Sequence, residues 1–286
     1  MSLEHAHRNF QLHLNSLNAI RSNSDSDKVF EIPHQRHHLS NDETFIIKCI
    51  DFHMPLLIGN IHLLNNTFDI NVDPVGIDDF YGIVIPVGQY SLTEIAVALE
   101  TQLNLAASNG ETYTVTENTT ENTLTFSCDN FEFDILLDQN GDIDINKELG
   151  FDPTDATINS VGMSITSTYP CDLSGIKRVY IHAPDLSMFS VDVRDNSHHS
   201  ILASVPNLVA GHGIMTYFNN QNTNNLLFAK RLSQVRIRLT DEENRSLDDL
   251  GLPPNISWTL TIQFDILKYH KDEFDRTIPK LTLGTN

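Results

Sequence analysis

The sequence predicts an all-β protein: a single jelly roll, meaning an eight-stranded antiparallel β-sandwich, that carries a strand–helix–hairpin insertion. Three observations predict it. The segments 232–240 and 256–267 alternate strictly, with Val235, Ile237 and Leu239 set against Arg236, Arg238 and Thr240. Trp258, Leu260, Ile262, Phe264 and Ile266 are likewise set against Thr259, Thr261, Gln263 and Asp265. A period of two with one apolar and one polar face belongs to an antiparallel sheet that is wet on one side. About eight such segments are separated by loops, the number that a jelly roll needs. Only one stretch reads clearly as helix.

Taken in order, residues 1 to about 40 are polar, with apolar positions spread thinly between Phe10 and Ile32 and an SNSDSD run at 22–27. This composition reads as a flexible N-terminal arm, ordered against a partner. From 41 to 270 the chain reads as the jelly roll. Phe45, Ile46, Ile47, Cys49, Ile50 and Phe52 form a first strand closed by Pro55, followed by strands at 61–72 and 80–85. Pro86 and Gly88 end the last of these. Ser91 then stands three residues before Glu94, the signature of a capping box that opens a helix. Leu92, Ile95, Leu99 and Leu103 recur at helical spacing behind it, giving one apolar stripe.

Two hairpins are expected next. Tyr113 and Val115 pair across a polar turn with Leu124 and Phe126, and the alternating 131–137 run returns through Asn140-Gly141 into Ile143 and Ile145. Asn-Gly supplies the positive φ angles of a tight primed turn. The inserted elaboration therefore reads as 76–160. Five strands follow at 176–182, 200–206, 214–218, 232–240 and 256–267, and 271–286 is a C-terminal tail.

With 38 acidic and 18 basic residues the chain carries a net charge of −20. That argues against a nucleic-acid surface, which needs concentrated Lys and Arg to displace counterions, and equally against an anionic membrane. No apolar run approaches the ~18 residues of a membrane span, and the first residues show no secretory signal. Cys49, Cys128 and Cys171 are odd in number and far apart. They read as reduced thiols of a reducing compartment, with neither a disulfide framework nor a zinc site.

Chemistry-bearing patterns are few. Asp138, Asn140, Asp142, Asp144 and Glu148 place oxygen ligands at alternate positions, as a calcium loop does. The glycine falls at the fourth position and Leu149 at the twelfth, so a plain acidic turn is the better reading. His5 and His7, the pair His37 and His38, and the pair His198 and His199 invite a metal. Adjacent histidines on a strand point to opposite faces, however, and solvated histidines fit better. Cys49 or Cys171 beside a histidine makes an imaginable nucleophile without any supporting signature, and no GxSxG, P-loop or GxGxxG occurs. No catalytic, cofactor or metal residue is assigned.

The order of segments nevertheless resembles a known family. Ile85-Pro86, Gly88 and Tyr90-Ser91 precede the helix, and Leu149-Gly150-Phe151 follows the hairpins. Val179-Tyr180-Ile181, the run 200–206 and the run 255–264 come later. Together they resemble the penton, or minor capsid, proteins of virophages and polinton-type elements, over roughly 41–270. The resemblance implies a non-enzymatic structural subunit without cofactor, one jelly roll in each of five copies at an icosahedral capsid vertex. Its partners would be itself, as a homopentamer, and a double-jelly-roll major capsid protein of the same virus, and its place the virion. A jelly-roll carbohydrate-binding or host-attachment module is the alternative, and a cupin-like metalloenzyme a weaker one.

Overall fold

The computed structural model describes residues 8–32, 39, 43–72, 79–108, 110–137, 145–152, 154–186, 190–191, 198–199, 201–209, 213–219, 225–227 and 232–268. The chain divides into two compact units. One comprises 1–56, 178–248 and 252–286, the other 57–177 with 249–251.

The first unit is built from two antiparallel sheets. In one, Arg8–Asn15, Thr259–Lys268, Glu43–Pro55 and Ile214–Phe218 lie side by side in that order, with Asn225–Leu227 also paired to Glu43–Pro55. In the other the order is Ile201–Pro206, Arg178–His182, Gln234–Thr240, Asp27–Glu31 and Arg21–Ser22. Counting the eight longer strands along the chain, the first sheet holds the first, eighth, third and sixth. The second holds the fifth, fourth, seventh and second. That is the strand order of a jelly roll.

Alternation explains why the sheets close on each other. Trp258 is fully buried, with its ring 5.8 Å from Phe30 of one sheet and 6.3 Å from Phe52 of the other. Phe264 stacks on Phe10 at 4.7 Å and meets Phe45 edge-on at 5.8 Å. Aromatic pairs in these geometries contribute about 0.5–1.5 kcal/mol each beyond the area they bury.

The stretch expected to be an arm is corrected by this arrangement over residues 8–32. Phe10, Leu12 and Leu14 alternate with Asn9, Gln11 and His13, and the strand pairs residue by residue with Thr259–Lys268. Asp27–Glu31 is inserted beside Gln234–Thr240, with Val29, Phe30 and Ile32 buried. The jelly roll thus begins near residue 8, not 41. The strands at 67–72 and 79–84, expected within it, belong to the other unit, and the intervening unit runs over 57–177 in place of 76–160. Residues 269–286 lie outside the described residues.

The second unit has its own core. Thr157–Asn159, Phe133–Leu136, Thr67–Val72 and Asp79–Val84 form one sheet, and Ser164–Thr166, Thr123–Cys128 and Tyr113–Asn118 another. The hairpin expected across Tyr113 and Phe126 is present, with Val115 opposite Phe126. The one expected over 131–145 is not: Phe133–Leu136 pairs with Thr67–Val72 and Thr157–Asn159, and Ile145 leads into a short helix, Asn146–Leu149. The Asn140-Gly141 turn lies outside the described residues. The helix Leu92–Ala106 starts at the Ser91 capping box and buries Ile95, Ala96, Leu99 and Leu103. These pack with Phe126, Phe133, Ile135 and Phe151, among others, in one apolar cluster.

Candidate functional site

The segments that drew attention in the sequence hold the second unit together. Tyr90 donates its hydroxyl proton to the Pro86 carbonyl at 2.7 Å, closing the turn into the helix. Glu94 accepts from the Ser91 N–H at 2.8 Å, and this bond with the Ser91 hydroxyl keeps its carboxyl below the usual range. Gly150 ends the short helix at φ 77°, and a Cβ there would stand 2.2 Å from the Tyr169 carbonyl oxygen. Leu149 and Phe151 on either side are buried.

The residue that composition and spacing did not single out is Asn60. Its Nδ2 donates to the carbonyls of Tyr90 (2.7 Å) and Leu173 (2.9 Å), and its Oδ1 accepts from the Tyr90 and Ile61 N–H groups at 2.8 and 3.0 Å. Both ends of the inserted unit are thereby tied to one side chain. Gly175 also lies here, its ideal Cβ position 3.2 Å from the Asn60 Cα. Gly59 next to it is obligatory, since a Cβ would lie 2.1 Å from the Gly88 carbonyl oxygen.

Among the described residues the cysteines and histidines form no assembled nucleophile or metal group. Cys49, Cys128 and Cys171 are all buried and unpaired by disulfide. Burial pushes Cys49 up to about 12, with the Asp51 charge adding to it, and Cys171 up to about 11, so neither is a thiolate at neutral pH. Asp138, Asn140, Asp142 and Asp144 lie outside the described residues, as do His5, His7, His37 and His38. Glu148 accepts a hydrogen bond from Asn65 Nδ2 at 2.8 Å. His198 and His199 form a two-residue strand against Ser190–Val191. Among the described residues no three His, Cys, Asp or Glu side chains gather as a metal site. Trp258 is inside the jelly roll, so it offers no platform for a sugar.

What distinguishes the molecule is where its charge lies. The stretch 57–177 holds nineteen acidic residues against two basic ones, Lys147 and Lys177. The rest of the chain holds nineteen acidic and sixteen basic residues, so it is close to neutral. Within that near-neutral remainder the run 252–264, which leads into an inner strand, carries no Asp, Glu, Lys or Arg, and neither do the runs 9–20 and 196–229.

The runs 9–20 and 196–229 supply the two edges of one sheet. Arg8–Asn15 is one edge and Ile214–Phe218 the other, each paired on a single side among the described residues. Large apolar side chains are exposed here: Leu17 (65%) in the 3-10 turn Ser16–Asn18 just beyond the first edge, and Ile214 (60%) and Phe218 (61%) on the second. The register fixes their heights. Thr216 pairs with His53, His53 with Thr259, and Thr259 with Asn15. Ile214 lies two residues further along its strand, and Leu17 lies in the 3-10 turn Ser16–Asn18 that follows Asn15, so both stand at the same end of the sheet, on opposite edges.

No family model matches the chain, and no curated protein matches it. Among solved structures it is similar to the mavirus penton protein, at 12% identity and a TM-score of 0.49, over 91% of this chain and 99% of that one. It is also similar to a chain of the Sputnik virophage, at 13% identity and a TM-score of 0.38, over 89% of this chain and 97% of that one.

Proposed function

We propose that this protein is a structural subunit of a viral capsid, a penton that forms pentamers at the vertices of an icosahedral virophage-type shell beside a double-jelly-roll major capsid protein. The observation that carries the reading is the jelly roll itself. Its eight strands follow the order that capsid jelly rolls use, and the segments resembling virophage pentons fall on its strands and on the buried turns of the inserted unit. A building block needs stable walls and surfaces for neighbours, and the two packed sheets offer such walls. The subunit binds no nucleic acid and no membrane in this reading, because its excess charge is negative.

The test is co-expression with the major capsid protein of the same virus. Shells that take up this chain at a stoichiometry of five copies per vertex support the reading. Shells that close with the chain left outside overturn it. A glycan array on the purified protein examines the attachment-module alternative, which the burial of Trp258 disfavours.

A further inference from the structure

We propose that neighbouring copies of this chain meet edge to edge through one jelly-roll sheet, with the Ile214–Phe218 edge of one copy against the 8–20 edge of the next. The inference rests on the capsid reading and specifies the contact within it.

Both edges carry little of the protection that open sheet edges usually have. Proteins blunt an open sheet edge with charged residues, prolines or bulges, because unpaired backbone groups there recruit another strand. Here the Ile214–Phe218 edge has none of them, and the first edge only Arg8 at its outer end. Residues 9–20 and 196–229 contain no charged side chain, in a chain where one residue in five is charged. Exposed Leu17 beside the first edge, and Ile214 and Phe218 on the second, add apolar surface to both.

Charge selects the occupant. A second copy of a chain at −20 repels the first, and the repulsion is concentrated in 57–177. The approach of least electrostatic cost brings together the uncharged flanks. They are different flanks, as a heterologous contact that closes into a ring requires.

The chain direction alternates across the sheet, so Arg8–Asn15 and Ile214–Phe218 run oppositely. A copy rotated about an axis along the strands keeps its strand directions. Its first edge then meets its neighbour's second edge antiparallel, the more stable pairing. Because Asn15 and Thr216 are in register across the sheet, with Leu17 and Ile214 at the same end, this rotation brings Leu17 and Ile214 of neighbouring copies together.

The test uses the full chain carrying Leu17→Cys and Ile214→Cys together, under a mild oxidant, with the folded state checked by circular dichroism. Within one copy Asn15 and Thr216, the in-register strand residues two positions from them, are three strand spacings apart, about 14 Å, so the two positions stand on opposite edges beyond the ~7 Å limit for a disulfide. Every cross-link is therefore between copies. The expected result is a ladder of species extending past the dimer for the double variant, and none for either single variant. Dimers from a single variant would mean a like-to-like contact and overturn the proposal. So would a double variant that stays monomeric at every concentration and in assembled shells. Shells that incorporate the chain without the 17–214 link overturn this contact and leave the capsid reading intact. A ladder without incorporation does the reverse.

Discussion

Arg236 grips Asp27 from the neighbouring strand, 209 residues away in sequence, with Nε donating to one carboxylate oxygen at 2.7 Å and a guanidinium NH2 group donating to the other. Such a two-pronged pair carries both charge and geometry. Burial pushes the Asp27 carboxyl up, but the hydrogen bonds from Arg236 and Asn23 and the nearby Arg238 charge more than offset it and hold the group below its usual value. Asp248 behaves alike: burial raises it, and the hydroxyls of Ser24, Ser26 and Ser246 with the Ser26 N–H bring it lower.

Acid should therefore weaken the jelly roll. A carboxylate whose folded pKa is depressed contributes stability above its unfolded value near 3.9, and loses it as pH falls through the folded one. Thermal unfolding of the full chain followed from pH 7 to pH 2.5 should show the jelly-roll transition falling below about pH 4. In the double variant Asp27→Asn, Asp248→Asn that fall should flatten. An equally steep fall in the variant would mean that other groups control it.

Arg236→Ala leaves the Asp27 carboxylate, mostly buried, without its main donor. A loss of about 1–3 kcal/mol is expected from chemical denaturation. Lys in place of Arg should recover only part, since it cannot supply the fork.

In the inserted unit, Leu99→Ala removes a fully buried side chain from the helix stripe. It should cost about 2–5 kcal/mol, while Ser91→Ala, which removes the cap, costs about 1 kcal/mol. A Leu99→Ala variant that melts with the wild type would place the stripe against nothing that matters.

The Tyr113 hydroxyl is buried and, among the described residues, has no hydrogen-bond partner; desolvation pushes its pKa up. Its ring meets Phe133 edge-on at 5.5 Å. Removing the oxygen alone should leave the packing intact and relieve an unmet polar group. Tyr113→Phe is expected to raise stability by up to about 1 kcal/mol, and a clear loss would reveal a partner for the hydroxyl.

Much of this was legible in residues. The late strands were written by strict alternation, as in 258–266, and the helix by Ser91 and Glu94. The first two strands were not, because their signal was diluted: Phe10, Leu12 and Leu14 alternate among uncharged polar residues, and Asp27 and Lys28 look solvent-facing until their partners Arg236 and Asp25 are known. Those partnerships are long-range in the sheet and local only around the turn. The uncharged flanks were present as runs without charge, but which strands are edges depends on the pairing of Arg8–Asn15 with Thr259–Lys268. The Asn60 clasp was invisible for the same reason, since it joins residues 113 positions apart.

That pairing also sets a timetable. Gln11 and Gln263 face each other across 252 residues, so during synthesis the first strand leaves the ribosome long before its partner exists. The unit at 57–177 closes on itself through Asn60 and Leu173 and has its core entirely within reach; it is able to fold while the chain is still being made. The jelly-roll sheet has to wait. Contacts this remote in sequence form slowly, and a domain completed last is the one exposed to mispairing on the way. In a crowded cell filling with identical chains, the open first strand of one nascent copy can find the eighth strand of another. A chaperone holding the first fifty residues until 259–268 emerges would raise the yield of correctly closed molecules.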